Sequence, residues 1–204
     1  MSNTTLSKKK GFRREFIEFY RKIYLVPERD KEMGDVVQLV PFLKWPGGKR
    51  WLVSRYGYFF PRHFRRYIEP FLGGGSVYFY LQPNNSLLGD INQELINAYC
   101  AVRDNWKKIE KLLHFHQANH CNDYYYFMRE SQPSDPIEKA ARFIYLNRTC
   151  FNGVYRVNQD GKFNVPKGTK DSVVLGTDNF KEIAGRRNFN PRMECGPIGE
   201  KKSM

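Results

Sequence analysis

Three consecutive glycines, Gly73-Gly74-Gly75, lie between a strand-like stretch, Arg66-Tyr67-Ile68, and a helix-like one, Val77-Tyr78-Phe79-Tyr80-Leu81. That order constrains the fold more than any other feature of the chain. Glycine has no Cβ and tolerates positive φ, so the backbone can turn sharply from strand to helix there and bring its N–H groups close to a ligand. A second glycine-centred motif, Phe42-Leu43-Lys44-Trp45-Pro46-Gly47-Gly48-Lys49, comes earlier, and Glu69-Pro70-Phe71-Leu72 leads directly into the glycines. The pair reads as a cofactor site of the nucleotide-binding kind on an α/β framework.

Around these motifs, from residue 39 to about 105, strand-like, glycine-rich and helix-like stretches alternate, as in a parallel sheet covered by helices. Ser86-Leu87-Leu88-Gly89 is a short apolar run ending at Asp90, and Asn92 is placed to cap a helix with Leu95, Tyr99 and Val102 on one side. Residues 106–146 lose the strand signal and turn helical and aromatic. His114, His116 and His120 gather there near Cys121, but His114 and His116 point to different sides of a helix and no neighbouring carboxylate completes a metal-ligand spacing. A polar helix surface is the expectation. Ser134-Asp135-Pro136 then opens a helix whose Ile137, Ala140, Ala141, Ile144 and Tyr145 face the core. Beyond it, Val154-Tyr155-Arg156-Val157 and Lys162-Phe163-Asn164-Val165 flank Asp160-Gly161, a strong hairpin signal.

Charge narrows the partners. The net +13 is concentrated at the front, where residues 1–66 hold 16 Lys/Arg against 6 Asp/Glu, a net +10. Such a bias favours a polyanion, with nucleic acid the usual one. Residues 1–38 form a basic extension in which Phe16, Ile17, Tyr20 and Tyr24 can share a helix face, while 171–204 read as a return segment and an irregular, poorly ordered tail. No run reaches the ~18 apolar residues of a membrane span, and the amino terminus lacks the apolar stretch of a secretory signal. Cys100, Cys121, Cys150 and Cys195 show no C-x-x-C pairing, which suits reduced thiols in a cytoplasmic protein.

The chemistry of the glycine motifs can be narrowed further. A dinucleotide fingerprint needs a third glycine where Tyr78 stands, and a phosphate-binding P-loop needs Ser or Thr after Lys49 where Arg50 stands. S-adenosylmethionine, which carries no phosphate, fits better. Lys49 suits its carboxylate, the backbone at Gly73 and Gly75 can approach its methionine portion, and Asp90, 17 residues after Gly73, stands where a ribose-binding acid is expected. Trp45 and Phe71 are apolar walls for such a site, with plain core packing as the alternative reading of both.

Residues 42–49, residues 67–76, Leu88-Gly89-Asp90-Ile91-Asn92, and Phe143-Ile144-Tyr145-Leu146-Asn147-Arg148 followed by Phe151-Asn152-Gly153 and Phe163-Asn164-Val165-Pro166 resemble, in this order, the Dam-type adenine-specific DNA methyltransferases. The resemblance covers about residues 41–176. It implies a Rossmann-like S-adenosylmethionine-dependent core, residues 39–105, with an inserted, mainly helical target-recognition domain, residues 106–170, carrying the hairpin. It further implies that Trp45, Lys49, Glu69, Phe71, Gly73, Gly75 and Asp90 contact the cofactor, that the partner is double-stranded DNA, and that Phe151, Asn152 and Arg156 engage it. Composition is compatible, since residues 147–170 carry Arg148, Arg156, Lys162, Lys167 and Lys170 against Asp160 alone, enough to sit on phosphates. Arg156 can read guanine bidentately, Asn152 can contact a base edge, and Phe151 can stack or wedge where a base is extruded. From the residues alone, a solvated hairpin stays open as the other reading.

One family element has no counterpart. The Asp-Pro-Pro-Tyr motif that holds the target amine in this family is absent from the 204 residues: Asp135-Pro136 continues with Ile137-Glu138, and Asn190-Pro191 with Arg192-Met193. The expectation is therefore a C-terminally truncated methyltransferase that does not methylate DNA alone, with a missing C-terminal portion or complementary chain as its partner. A non-catalytic DNA-binding remnant is the alternative. An incomplete sheet would also leave an edge exposed and the chain marginally stable or prone to aggregate.

Overall fold

A computed structural model describes residues 38–61 and 63–186. The expected amphipathic segment at 14–24 and most of the irregular tail lie outside the described residues. The first regular element is a short helix, α1 (Arg50–Tyr56), followed by a 3-10 turn at Gly57–Phe59. Strand β1 (Tyr67–Glu69) then leads through the glycines into α2 (Ser76–Leu81), and the chain returns as β2 (Ser86–Leu88). The two strands are parallel, with Tyr67 opposite Ser86, Ile68 opposite Leu87 and Glu69 opposite Leu88. Helix α2 makes the crossover and buries Ser76, Val77, Tyr78 and Phe79. Left-handed residues bound it on both sides, Gly75 at φ +67° and Gln82 at φ +47°, so the reversal is tight at each end.

The remaining framework is helical. Helix α3 (Gln93–Asn119) starts where Asn92 Oδ1 accepts the Leu95 N–H at 2.9 Å, the cap its position suggests. Its buried residues Leu95, Tyr99, Val102, Ile109, Leu113 and His116 recur at helical spacing, and non-helical backbone at Asn105 kinks it. Helix α4 (Asn122–Glu130) begins at Cys121, whose Sγ accepts the Tyr124 N–H. Helix α5 (Pro136–Thr149) begins at Asp135, whose carboxylate accepts the Ile137 N–H at 2.9 Å, with proline in the first turn where its missing N–H costs nothing. Helices α5 and α6 (Phe180–Ala184) pack on α3, and one core joins Phe42, Leu43, Leu72, Tyr78 and Phe79 to Tyr99, Tyr125, Ile144 and Tyr145.

The architecture is thus mixed, with helices around a small parallel sheet. Two expectations change. The runs flanking Asp160-Gly161 form no strands: one isolated antiparallel bridge joins Val157 to Phe163, and Asn158 Oδ1 closes the turn by accepting the Asp160 and Lys162 N–H groups. Of the three histidines expected on a polar helix surface, only His114 is exposed. His116 is buried with Nδ1 2.7 Å from the Tyr124 hydroxyl, and desolvation drives its pKa down to about 4. His120 places Nδ1 2.8 Å from the Tyr145 hydroxyl and Nε2 3.2 Å from Asp171.

Candidate functional site

The cofactor candidates converge on the carboxyl ends of the two parallel strands, where ligands of open α/β sheets bind. Strand β1 ends at Glu69, which is buried. Its Oε1 lies 2.6 Å from Lys49 Nζ and its Oε2 accepts the Tyr67 hydroxyl at 2.7 Å. The Lys49 ammonium also donates to the Phe71 carbonyl at 2.8 Å. Lys49 therefore clamps the chain from Glu69 to Phe71, and its ammonium has one further N–H to offer. Burial, followed by the adjacent Glu69 carboxylate, raises the Tyr67 phenol far above its ordinary range, so Tyr67 stays a donor.

Asp90, just after β2, closes the opposite side. Its Oδ2 accepts the Gly73 N–H at 2.8 Å and its Oδ1 the Asn92 N–H at 3.0 Å. One carboxylate thereby ties the glycine loop to the start of α3, and each oxygen keeps a lone pair for another donor. From α3 the Tyr99 hydroxyl donates to the Gly73 carbonyl at 3.2 Å. Gly73 has φ +51°, and a Cβ there would stand 2.8 Å from Trp45 Cδ1. The indole thus rests on the bare glycine backbone. Phe71 is 76 % exposed beside these groups.

Trp45, Lys49, Glu69, Phe71, Gly73, Gly75 and Asp90 are accordingly neighbours through strand ends, glycine loop and side-chain bonds. The donor set fits S-adenosylmethionine: a cation for a carboxylate, acceptors for hydroxyl or ammonium groups, and apolar faces at Trp45 and Phe71. A separate cavity of about 380 Å³ lies between Glu94, Arg129, Lys139, Arg142 and Lys162, and none of the seven residues lines it.

Among the DNA candidates the outcome is divided. Phe151 is 55 % exposed at a 3-10 turn, Phe151–Gly153, beside Asn152, which is exposed at φ +55°, a conformation asparagine tolerates. Arg156 is exposed, its Nε 2.8 Å from Asn164 Oδ1 and its second nitrogen 3.3 Å from the Asn164 carbonyl. Lys162 is exposed and Lys167 pairs with Asp171 at 2.9 Å. Arg148 is a correction. It is only 4 % exposed, forks onto Asp178 at 2.6 and 2.7 Å, and donates to the Phe42 and Val173 carbonyls. No face is left for phosphate, because burial has matched the guanidinium with internal acceptors.

Three contacts escaped the sequence. Asn147 Oδ1 accepts the Lys44 N–H at 2.9 Å and its Nδ2 donates to the Lys44 carbonyl at 2.7 Å, as a neighbouring strand would. Tyr155 stacks on Trp45, with ring centroids 5.3 Å apart at 24°. The Tyr155 hydroxyl donates to Glu94 Oε2 at 2.6 Å. A signal existed only for Asn147: an amide within an otherwise apolar helix end needs internal partners. Near it, the Lys170 ammonium and burial bring the Lys44 pKa down to about 8.

The model of the family described as D12 class N6 adenine-specific DNA methyltransferase matches residues 45–186. The chain is 41 % identical over 161 residues to a type II methyltransferase, M1.LlaDCHI, of Lactococcus lactis subsp. cremoris, covering 76 % of this chain and 57 % of that protein. It is 32 % identical over 182 residues to a type II methyltransferase, M.MjaIII, of Methanocaldococcus jannaschii, covering 78 % and 63 %. It is 36 % identical over 149 residues to a DNA adenine methylase of Haemophilus influenzae, covering 71 % and 52 %. The matched region thus spans between half and two thirds of these relatives. No helix among the described residues is long and apolar enough to cross a membrane.

Proposed function

Because this chain belongs to the D12 class N6 adenine-specific DNA methyltransferase family, we propose that it carries the S-adenosylmethionine site and the target-recognition region of an enzyme that methylates adenine N6 in duplex DNA. The observation that carries this is the cluster at the strand ends, where Lys49 clamps Glu69 and Phe71 while Asp90 holds Gly73. When bound, S-adenosylmethionine supplies the methyl group. Lys49 offers its remaining N–H to the cofactor carboxylate, Asp90 accepts from the ribose hydroxyls, and Trp45 and Phe71 flank the apolar parts. Gly73 and Gly75 let the backbone approach without side-chain obstruction.

Residues 39–105 serve the cofactor and residues 106–170 the DNA. Lys162 and Lys167 meet phosphates, Phe151 wedges beside the extruded base, and Asn152 contacts a base edge. Arg156 exchanges its bonds to Asn164 for the guanine edge, so the two acceptors left behind must find water or other donors. Arg148 holds the framework.

No Asp-Pro-Pro-aromatic run occurs in the 204 residues, so the amine-positioning step falls to residues outside this sequence. The second reading is a non-catalytic DNA-binding protein that keeps the basic stretch with Arg156, Lys162 and Lys170. Calorimetry with S-adenosylhomocysteine separates them. The proposed function requires binding by the unaltered chain and a loss of roughly tenfold or more in Asp90→Ala, as for one charge-assisted hydrogen bond. An unaltered chain that binds duplex DNA but no S-adenosylhomocysteine fits the second reading. Labelled methyl transfer to duplex DNA by the chain alone is expected to be absent, and its appearance would overturn the inactivity.

A further inference from the structure

We propose that Tyr155 is a positioning residue that couples cofactor occupancy to DNA recognition, so that each ligand strengthens binding of the other. The inference rests on the functional reading above. Tyr155 touches the cofactor cluster at Trp45 and the first turn of α3 at Glu94. Its ring lies on Trp45, whose indole in turn rests on Gly73. Its hydroxyl reaches Glu94 in the first turn of α3, two residues beyond Asn92, whose N–H is held by Asp90. The next residue along the chain is Arg156, the candidate reader of guanine.

The excursion bearing Tyr155 has little backbone structure of its own. Two isolated antiparallel bridges, Cys150 to Lys167 at its base and Val157 to Phe163 further out, and a turn at Asn158 hold its arms together. Beyond that base, side chains set where it lies on the core, and that of Tyr155 reaches the cofactor cluster. Burial, and next the Glu94 carboxylate, push the Tyr155 phenol up to about 12, so its hydroxyl donates to Glu94 throughout the neutral range. A ligand packed against Trp45 restricts the indole, the indole restricts Tyr155, and the backbone carrying Arg156 loses freedom it would otherwise lose on meeting DNA. The second ligand then orders less, and thermodynamic linkage makes the gain equal in both directions.

The test is a calorimetric cycle on the full 204-residue chain with S-adenosylhomocysteine and a mixed-sequence DNA duplex. Saturating S-adenosylhomocysteine should tighten duplex binding by about fivefold or more, and the duplex should tighten S-adenosylhomocysteine by the same factor. In Tyr155→Leu each ligand should still bind, with the factor close to one. Independent binding in the unaltered chain, or an undiminished factor in Tyr155→Leu, overturns the coupling and leaves the functional reading standing. Should the leucine variant fail to fold, Tyr155→Phe decides: it keeps the ring, loses the bond to Glu94 and must lower the factor, and an unchanged factor overturns the proposal. An unaltered chain that binds neither ligand overturns the functional reading and the coupling together.

Discussion

Arg148 and Asp178 form a bidentate ion pair inside the protein, with both side chains nearly inaccessible to solvent. The guanidinium also donates to the Phe42 and Val173 carbonyls, so one residue of α5 joins the first glycine motif to the segment that leads into α6. Asp178 also accepts the Leu175 N–H at 2.9 Å, which closes the turn before α6.

Removing one partner strands the other charge in the interior. Asp178→Ala should destabilise the fold by about 3–5 kcal/mol, measured by denaturant unfolding. Arg148→Lys should fail to restore stability, because an ammonium cannot reproduce the planar fork. A loss below 1 kcal/mol in Asp178→Ala would show the pair to be dispensable.

Asn147→Ala leaves the Lys44 N–H and C=O without the amide that pairs both. The expected cost is about 1–3 kcal/mol for each group left unpaired away from water. Asn147→Asp keeps the acceptor but sets a buried carboxylate against the Lys44 and Gly153 carbonyls, so it should be no more stable than Asn147→Ala. Thermal or denaturant unfolding of the three proteins gives the order directly.

Gly73 and Gly161 both have positive φ, but a Cβ at Gly73 meets the Trp45 indole while one at Gly161 meets open space. Gly161→Ala should cost only the left-handed conformation, roughly 1–2 kcal/mol, and leave S-adenosylhomocysteine binding unchanged. Gly73→Ala should cost more and weaken that binding, because the indole must move. Equal behaviour of the two variants in calorimetry and unfolding would remove Gly73 from the site.

His116 makes stability depend on acidity. Its folded pKa of about 4 lies below the ordinary 6.5 because burial disfavours the charged ring. The unfolded chain therefore binds more protons, and the stability this group contributes is fully present above pH 6.5 and is lost as pH falls from 6.5 to about 4. The loss is on the order of 3 kcal/mol. His116→Gln should flatten the unfolding free energy over that window, and an unchanged slope would assign the effect elsewhere.

The local chemistry was legible in the residues. Gly73-Gly74-Gly75 between a strand and a helix, Asp90 after the next apolar run, and caps at Asn92 and Asp135 depend on neighbours a few positions apart, where backbone geometry and hydrogen bonding are decided by residue type. Asp90 meets Gly73 where those turns lie side by side at the ends of two parallel strands, whereas the bond of Lys49 to Glu69 spans 20 positions and was decided by the fold. The segment around Asp160-Gly161 was legible as a turn but not as an irregular excursion, because pairing of its arms depends on what packs beneath them.

Tertiary structure decided which polar groups face inward. Arg148 and Lys162 are both cations in one basic stretch, yet one is buried against Asp178, 30 positions away, and the other is exposed. His116 and His114 sit two apart on one helix, and only His116 is turned into the core. The stack of Tyr155 on Trp45 and the bond of Tyr155 to Glu94 join residues up to 110 positions apart. Periodicity reports only that a side chain shares a face with its neighbours. Whether that face meets water, an acceptor or an aromatic ring is settled when distant segments pack, because only then is desolvation either matched by a partner or left uncompensated.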